Sequence, residues 1–149
     1  MYNRLLVRGK RISAIAAICS EGLVDYELHS GTINGHTFAD FVRGNLIPNM
    51  QPFDGTNSRS ICILGNCSIH HIQEVKDLFQ EAGILVFYLP PYSPDYMPIE
   101  ETFSYIKYYL KEHDELIQVL DHPMDIIKAA FDSVIKSQCE GWIHDCGYA

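Results

Sequence analysis

Leu89-Pro90-Pro91-Tyr92-Ser93-Pro94-Asp95-Tyr96-Met97-Pro98-Ile99-Glu100-Glu101 sets a carboxylate at the mouth of a helix, directly after a stiff, proline-punctuated crossing. Pro90, Pro91 and Pro94 pin φ and deny the backbone a helix, whereas Pro98 suits a first helical turn. Ile99, Phe103, Ile106 and Leu110 then recur at helical spacing, which predicts a helix from Ile99 to about His113. Glu100 falls in its first turn. There the unpaired N–H groups and the helix dipole favour an ionised carboxylate, the form a hard divalent cation requires. Glu101 stands about 100° further round the helix, so the two side chains do not converge on one ion. Asp95 follows Ser-Pro and reads as a turn or cap residue.

Upstream, Ile12 to Cys19 and Leu23 to His29 read as strands joined through Glu21-Gly22, a hairpin signal with apolar residues on both sides. Asn34 is expected to cap a helix that carries Phe38, Phe41, Val42 and Leu46 on one face and closes near Pro48. A loop from Pro52 to Ser58 leads to the short apolar strand Ile61-Cys62-Ile63-Leu64, which Gly65 ends. Ile72, Val75, Phe79 and Ala82 mark a helix finishing at Gly83, and Ile84 to Leu89 form a strand that runs into the proline motif. A last helix is predicted from about Pro123 to Lys136, with Trp142 to Tyr148 as its apolar closure.

Other chemistry-bearing residues carry less. Asn66 offers a carbonyl to a cation, but it follows the strand residue at 65 and points to the opposite face. His70 and His71 are adjacent on a helix and diverge, which suits capping or packing better than metal ligation. Cys62 and Cys67 have no base or ligand set at a recognisable spacing and read as ordinary buried thiols. Tyr88, Tyr92, Tyr96, Tyr105, Tyr108 and Tyr109 surround the proline motif; their faces could stack on unpaired bases, although packing against the prolines is the commoner use.

As a string, Pro90 to Lys107 resembles the closing motif of mariner-like transposases of the DDE superfamily of endonucleases. Further segments are similar: Arg8-Gly9-Lys10-Arg11 before a strand, Asn34-Gly35 opening a helix, Asn66-Cys67-Ser68-Ile69-His70-His71, and the closing Gly141-Trp142-Ile143-His144-Asp145-Cys146-Gly147-Tyr148. The resemblance spans nearly the whole chain. It implies an α/β, ribonuclease H-like fold, a mixed sheet flanked by helices, which the order of strands and helices also suits. It also implies a single catalytic domain over residues 1–149 that is truncated at its amino terminus, lacks the first strand, and has no DNA-reading helix-turn-helix domain. Either Tyr2 to Val7 stands in for that strand or its neighbours are left with unpaired backbone groups.

By the same resemblance Glu100 is the third catalytic acid and a metal ligand. The family's second acid is an aspartate directly before the Asn of Asn-x-x-x-His, and here that position is Gly65. The 34 residues from Asn66 to Ile99 keep the family's spacing between second and third acids. The first acid would lie upstream of Arg8. Relatives use Mg²⁺ or Mn²⁺ to cleave and transfer DNA strands at transposon ends, with two ions about 3.5–4 Å apart flanking an in-line displacement. One carboxylate cannot hold that pair, so the resemblance implies an inactive copy. A host-retained module binding nucleic acid or protein without catalysis is the alternative.

A length of 149 residues and 47% hydrophobic content suit one folded domain rather than disorder. No apolar run approaches the ~18 residues of a membrane span, and no signal-peptide pattern opens the chain. Five cysteines without paired Cys-x-x-Cys spacing fit reduced thiols, so a nuclear or cytoplasmic protein is expected. A net charge of −8 speaks against a general grip on DNA and favours a protein partner. Arg4, Arg8, Lys10 and Arg11 form a basic amino-terminal cluster, and Arg8, Lys10 and Arg11 are the expected backbone contacts with DNA; a solvated terminus is the plainer reading.

Overall fold

The computed structural model describes residues 2–7, 10–119, 122 and 124–148, and the chain divides into two compact units. One comprises residues 33–94; the other comprises residues 2–32 together with 95–148. No helix among the described residues is long and apolar enough to cross a membrane.

In the second unit, β1 (Tyr2–Val7), β2 (Lys10–Cys19) and β3 (Gly22–Ser30) form an antiparallel meander in that order. Tyr2 to Val7 therefore does stand in as a strand, pairing along β2 from Tyr2 opposite Ile15 to Val7 opposite Lys10. The expected hairpin also forms. Its tight turn at Ser20-Glu21 closes because Gly22 adopts φ +133°, a region open to glycine alone at little cost. β2 is buried on both faces: Ser13, Ala14, Ile15 and Ala16 are at most 1% exposed. Ser13 satisfies its buried hydroxyl by donating to the Gly31 carbonyl.

Four helices follow in this unit: α3 (Pro98–Glu112), α4 (Asp114–Val119), α5 (Met124–Asp132) and α6 (Lys136–Asp145), numbered after the two helices of the first unit. α3 buries Ile99, Phe103, Ile106 and Leu110, the predicted stripe, and packs against β2, α5 and α6. Phe131 of α5 joins this core, stacked on Tyr26 of β3 at 4.6 Å and edge-on to Phe103 at 6.4 Å. The helix expected from about Pro123 to Lys136 is α5, which ends four residues early, and α6 is a further helix that begins where the expected one was to close. The expected first residue lies outside the described residues, and α5 ends at Asp132. Ser133, Val134 and Ile135 intervene, with Ile135 extended at φ −114°, ψ 162°. Gln138 then caps the new helix by accepting from the Ile135 N–H at 2.9 Å. The apolar period runs through this break, so the sequence pattern masks it. Trp142 consequently lies inside α6, 5.9 Å from the Tyr105 ring. α4 was not foreseen; six residues give too short a window for periodicity.

In the first unit α1 (Gly35–Phe41) begins as expected, with the Asn34 side chain accepting from the Thr37 N–H at 2.8 Å. It widens into π-type turns over Val42–Leu46 and tightens to a 3₁₀ turn at Ile47–Asn49 before the chain leaves the helix. β4 (Ile61–Leu64) and β5 (Leu85–Tyr88) form a parallel pair, with α2 (Gln73–Glu81) between them in sequence. Antiparallel and parallel pairing thus both occur, in two sheets of three and two strands rather than in one ladder. Phe38, Phe41, Val42, Leu46, Val75 and Phe79 make this unit's core with Leu64 and Ile84.

Candidate functional site

One candidate region, within the first unit, lies where β4 and β5 end. Leu64 pairs with Tyr88, and the Leu89 N–H donates to the Leu64 carbonyl at 2.8 Å, so both strands deliver their next residues to one end of the pair. Carboxyl ends of parallel strands are where open α/β sheets place their ligands. Gly65, the position the resemblance gives to the second acid, follows β4 and is buried. Its carbonyl accepts from His70 Nδ1 at 2.9 Å. With Nδ1 carrying the proton, Nε2 is a bare lone pair, and it is buried without a hydrogen-bond partner. The His70 ring is fully buried, 4.7 Å from Phe38. That burial pulls its pKa down to about 4.

His71 turns the other way. Its Nε2 meets Asn66 Oδ1 at 2.7 Å, and its ring stacks on Tyr88 at 4.2 Å. The Tyr88 hydroxyl in turn donates to the His70 carbonyl at 2.9 Å. The two histidines therefore pack and cap, as their adjacency predicted, and Asn66 is engaged by His71. Cys62 and Cys67 are half-buried free thiols, and burial pushes the Cys62 pKa up to about 11.

A separate candidate region, within the second unit, is the start of α3. Pro94–Tyr96 form a 3₁₀ turn holding Asp95, which is exposed in that turn as its Ser-Pro context suggested. Met97 is extended and offers no side-chain cap, Pro98 occupies the first turn, and the Glu100 N–H donates to the Met97 carbonyl at 3.0 Å. Glu100 is half-buried at this helix start, which has no side-chain cap. Glu101 behaves differently. Its Oε1 lies 4.0 Å from the Cys146 thiol, and burial followed by the nearby Asp145 charge raises its carboxyl pKa. The sequence offered only the helical angle between these two glutamates; the tail contact was missed, and its one visible signal was the familial closing motif.

The tyrosines divide. Tyr105 hydrogen-bonds Ser133 at 2.6 Å and Tyr109 stacks on His113 at 4.2 Å, both structural uses. Tyr92, Tyr96 and Tyr108 are exposed, Tyr92 completely and with a left-handed φ of +58°.

Residues 2–120 match the family described as DDE superfamily endonuclease. The chain belongs to the DDE superfamily endonucleases. No curated protein matches it. Among solved structures, this DDE superfamily chain is similar to the Mos1 transposase catalytic domain with Raltegravir and Mn, at 16% identity and a TM-score of 0.69, covering 98% of this chain and 74% of that one. It is similar to the Mos1 mariner paired end complex with Mn at 18% identity and a TM-score of 0.61, covering 97% and 43%. The catalytic core domain of BIV integrase matches at 13% identity and a TM-score of 0.58, covering 89% and 79%. At these identities the likeness establishes the fold, which is ribonuclease H-like.

At residue 65 this DDE superfamily chain offers no side-chain ligand to a divalent ion. No three His, Cys, Asp or Glu residues among those described group so as to hold a metal. Of the expected DNA contacts, Arg8 lies outside the described residues, Lys10 begins β2, and Arg11 is exposed on β2.

Proposed function

We propose that this chain is a mariner-like transposase catalytic domain that no longer cleaves DNA. Gly65 carries the proposal: where the family places its second acid, the strand ends in a residue without a carboxylate, and its carbonyl is held by His70 at 2.9 Å. Glu100 is the inherited third acid, placed at a helix start where a carboxylate is stable. Without a carboxylate at 65 it lacks the second acid with which a two-ion displacement holds its metals. DNA is the ancestral partner: the paired end complex of Mos1 shares the fold, and Mn accompanies it there. A nuclear or cytoplasmic site of action goes with such a partner.

The test is nicking of supercoiled plasmid with Mg²⁺ or Mn²⁺. No nicking above buffer is expected. Metal-dependent nicking that disappears in Glu100→Gln would overturn the proposal.

A non-catalytic binding module is the second reading, favoured by one surface. Ile61, Ile63, Leu85 and Phe87 pair in register on one face of the β4–β5 sheet and are 38–52% exposed, where parallel strands are ordinarily covered on both faces. With a net charge of −8, a protein partner suits this reading better than bare DNA. Retardation of a DNA fragment that weakens steeply with salt would favour DNA instead; no shift at low salt removes DNA.

A further inference from the structure

The closing motif Gly141 to Tyr148 has no role in the reading above, yet the structure gives its last residues specific partners. After α6, Gly147 adopts φ +89°, a left-handed turn that redirects the chain. Tyr148 then donates its hydroxyl to the Tyr96 carbonyl at 2.6 Å, and Cys146 presents its thiol to Glu101 Oε1 at 4.0 Å. Tyr96 precedes the first residue of α3 and Glu101 stands in its first turn, so the two contacts fall on either side of Glu100 in sequence. The body of α6 packs along α3, with Trp142 against Tyr105. That packing brings the tail across the helix start.

We infer that Cys146-Gly147-Tyr148 is a clasp that positions the start of α3 and engages Glu101, leaving Glu100 as the carboxylate free to meet a ligand there. The inference rests on Glu100 being the inherited acid only for its functional meaning; the clasp itself stands on the two contacts. It explains how one of two adjacent glutamates is singled out. Glu101 has the Cys146 thiol 4.0 Å from its Oε1, a contact from the tail. Burial raises the Tyr148 pKa, so its hydroxyl stays protonated and donates. Met97 provides no side-chain cap, and the carbonyl of Tyr96 and the Glu101 carboxyl are two points at which the tail ties this helix start, beside the burial of Ile99 and Phe103. A tie there holds the rotation of α3's first turn, and with it the direction of Glu100.

Hydrogen exchange on the full chain tests this, comparing the native protein with Tyr148→Phe, which removes one hydroxyl, and Gly147→Ala. An added Cβ at 147 meets nothing within 4 Å, so that change acts through the backbone alone. Both variants are expected to speed exchange at the Glu100 to Phe103 amides about fivefold, the scale of one lost hydrogen bond. The amides of β4 and α2 should keep their rates. Unchanged exchange at the start of α3, or an equal rise at every amide, overturns the clasp. Failure of the proposed loss of cleavage shows instead as metal-dependent nicking, with the exchange pattern unaffected.

Discussion

His70 donates its Nδ1 proton to the Gly65 carbonyl across five residues, and in doing so leaves its Nε2 buried and bare. The imidazole is therefore locked in one tautomer and in its neutral form. Its folded pKa of about 4 lies below the ordinary value of 6.5. Protonation favours the unfolded chain, so the stability His70 contributes is complete above about pH 6.5 and is lost as the pH falls from 6.5 towards 4. The full shift corresponds to about 3 kcal/mol. Urea midpoints measured between pH 7 and 4.5 should fall more steeply for the native chain than for His70→Asn, which cannot titrate. Equal slopes would remove His70 as the cause.

Gly83 and Tyr92 both hold left-handed backbone, with opposite consequences. Gly83 has φ +73°, and a Cβ there would stand 3.2 Å from the Pro52 Cβ, beside the bond from the Phe53 N–H to the Gly83 carbonyl. Gly83→Ala is expected to destabilise by about 1–2 kcal/mol through backbone strain. At φ +58° Tyr92 already bears that strain, and its ring is wholly exposed. Tyr92→Gly should be neutral or stabilising by the same urea measurement.

Phe131 sits between Tyr26 and Phe103 in the aromatic centre of its unit. Phe131→Ala should cost about 3–5 kcal/mol, a large share of the roughly 5–15 kcal/mol of an ordinary domain, and lower the thermal midpoint markedly. Tyr26→Phe keeps the stack and loses only the 2.9 Å bond to Asp132, so its melt should stay close to the native one.

The proline motif, the Asn34 cap and the hairpin at Gly22 were legible because each rests on local backbone chemistry: fixed φ at proline, an amide-to-cap bond three residues away, a left-handed glycine. The stripe Ile99, Phe103, Ile106 and Leu110 was legible for the same reason, since a repeat of 3.6 residues reports burial along one helix. The break at Val134 and Ile135 was not. Apolar residues continue at helical spacing across it, and the end of α5 depends on where Phe131 and Ile127 must pack.

At the candidate site, sequence alone determined the family, the first-turn position of Glu100, the absence of a carboxylate at 65 and the divergence of His70 from His71. Tertiary structure decided which of those side chains is engaged and by what. Glu101 meets Cys146 from 45 residues away and Tyr148 reaches Tyr96 from 52 residues away. Periodicity and capping operate within a few residues of the chain, whereas these partners meet only because α6 packs along α3. The packed core, not the local pattern, selects Glu100 over its neighbour.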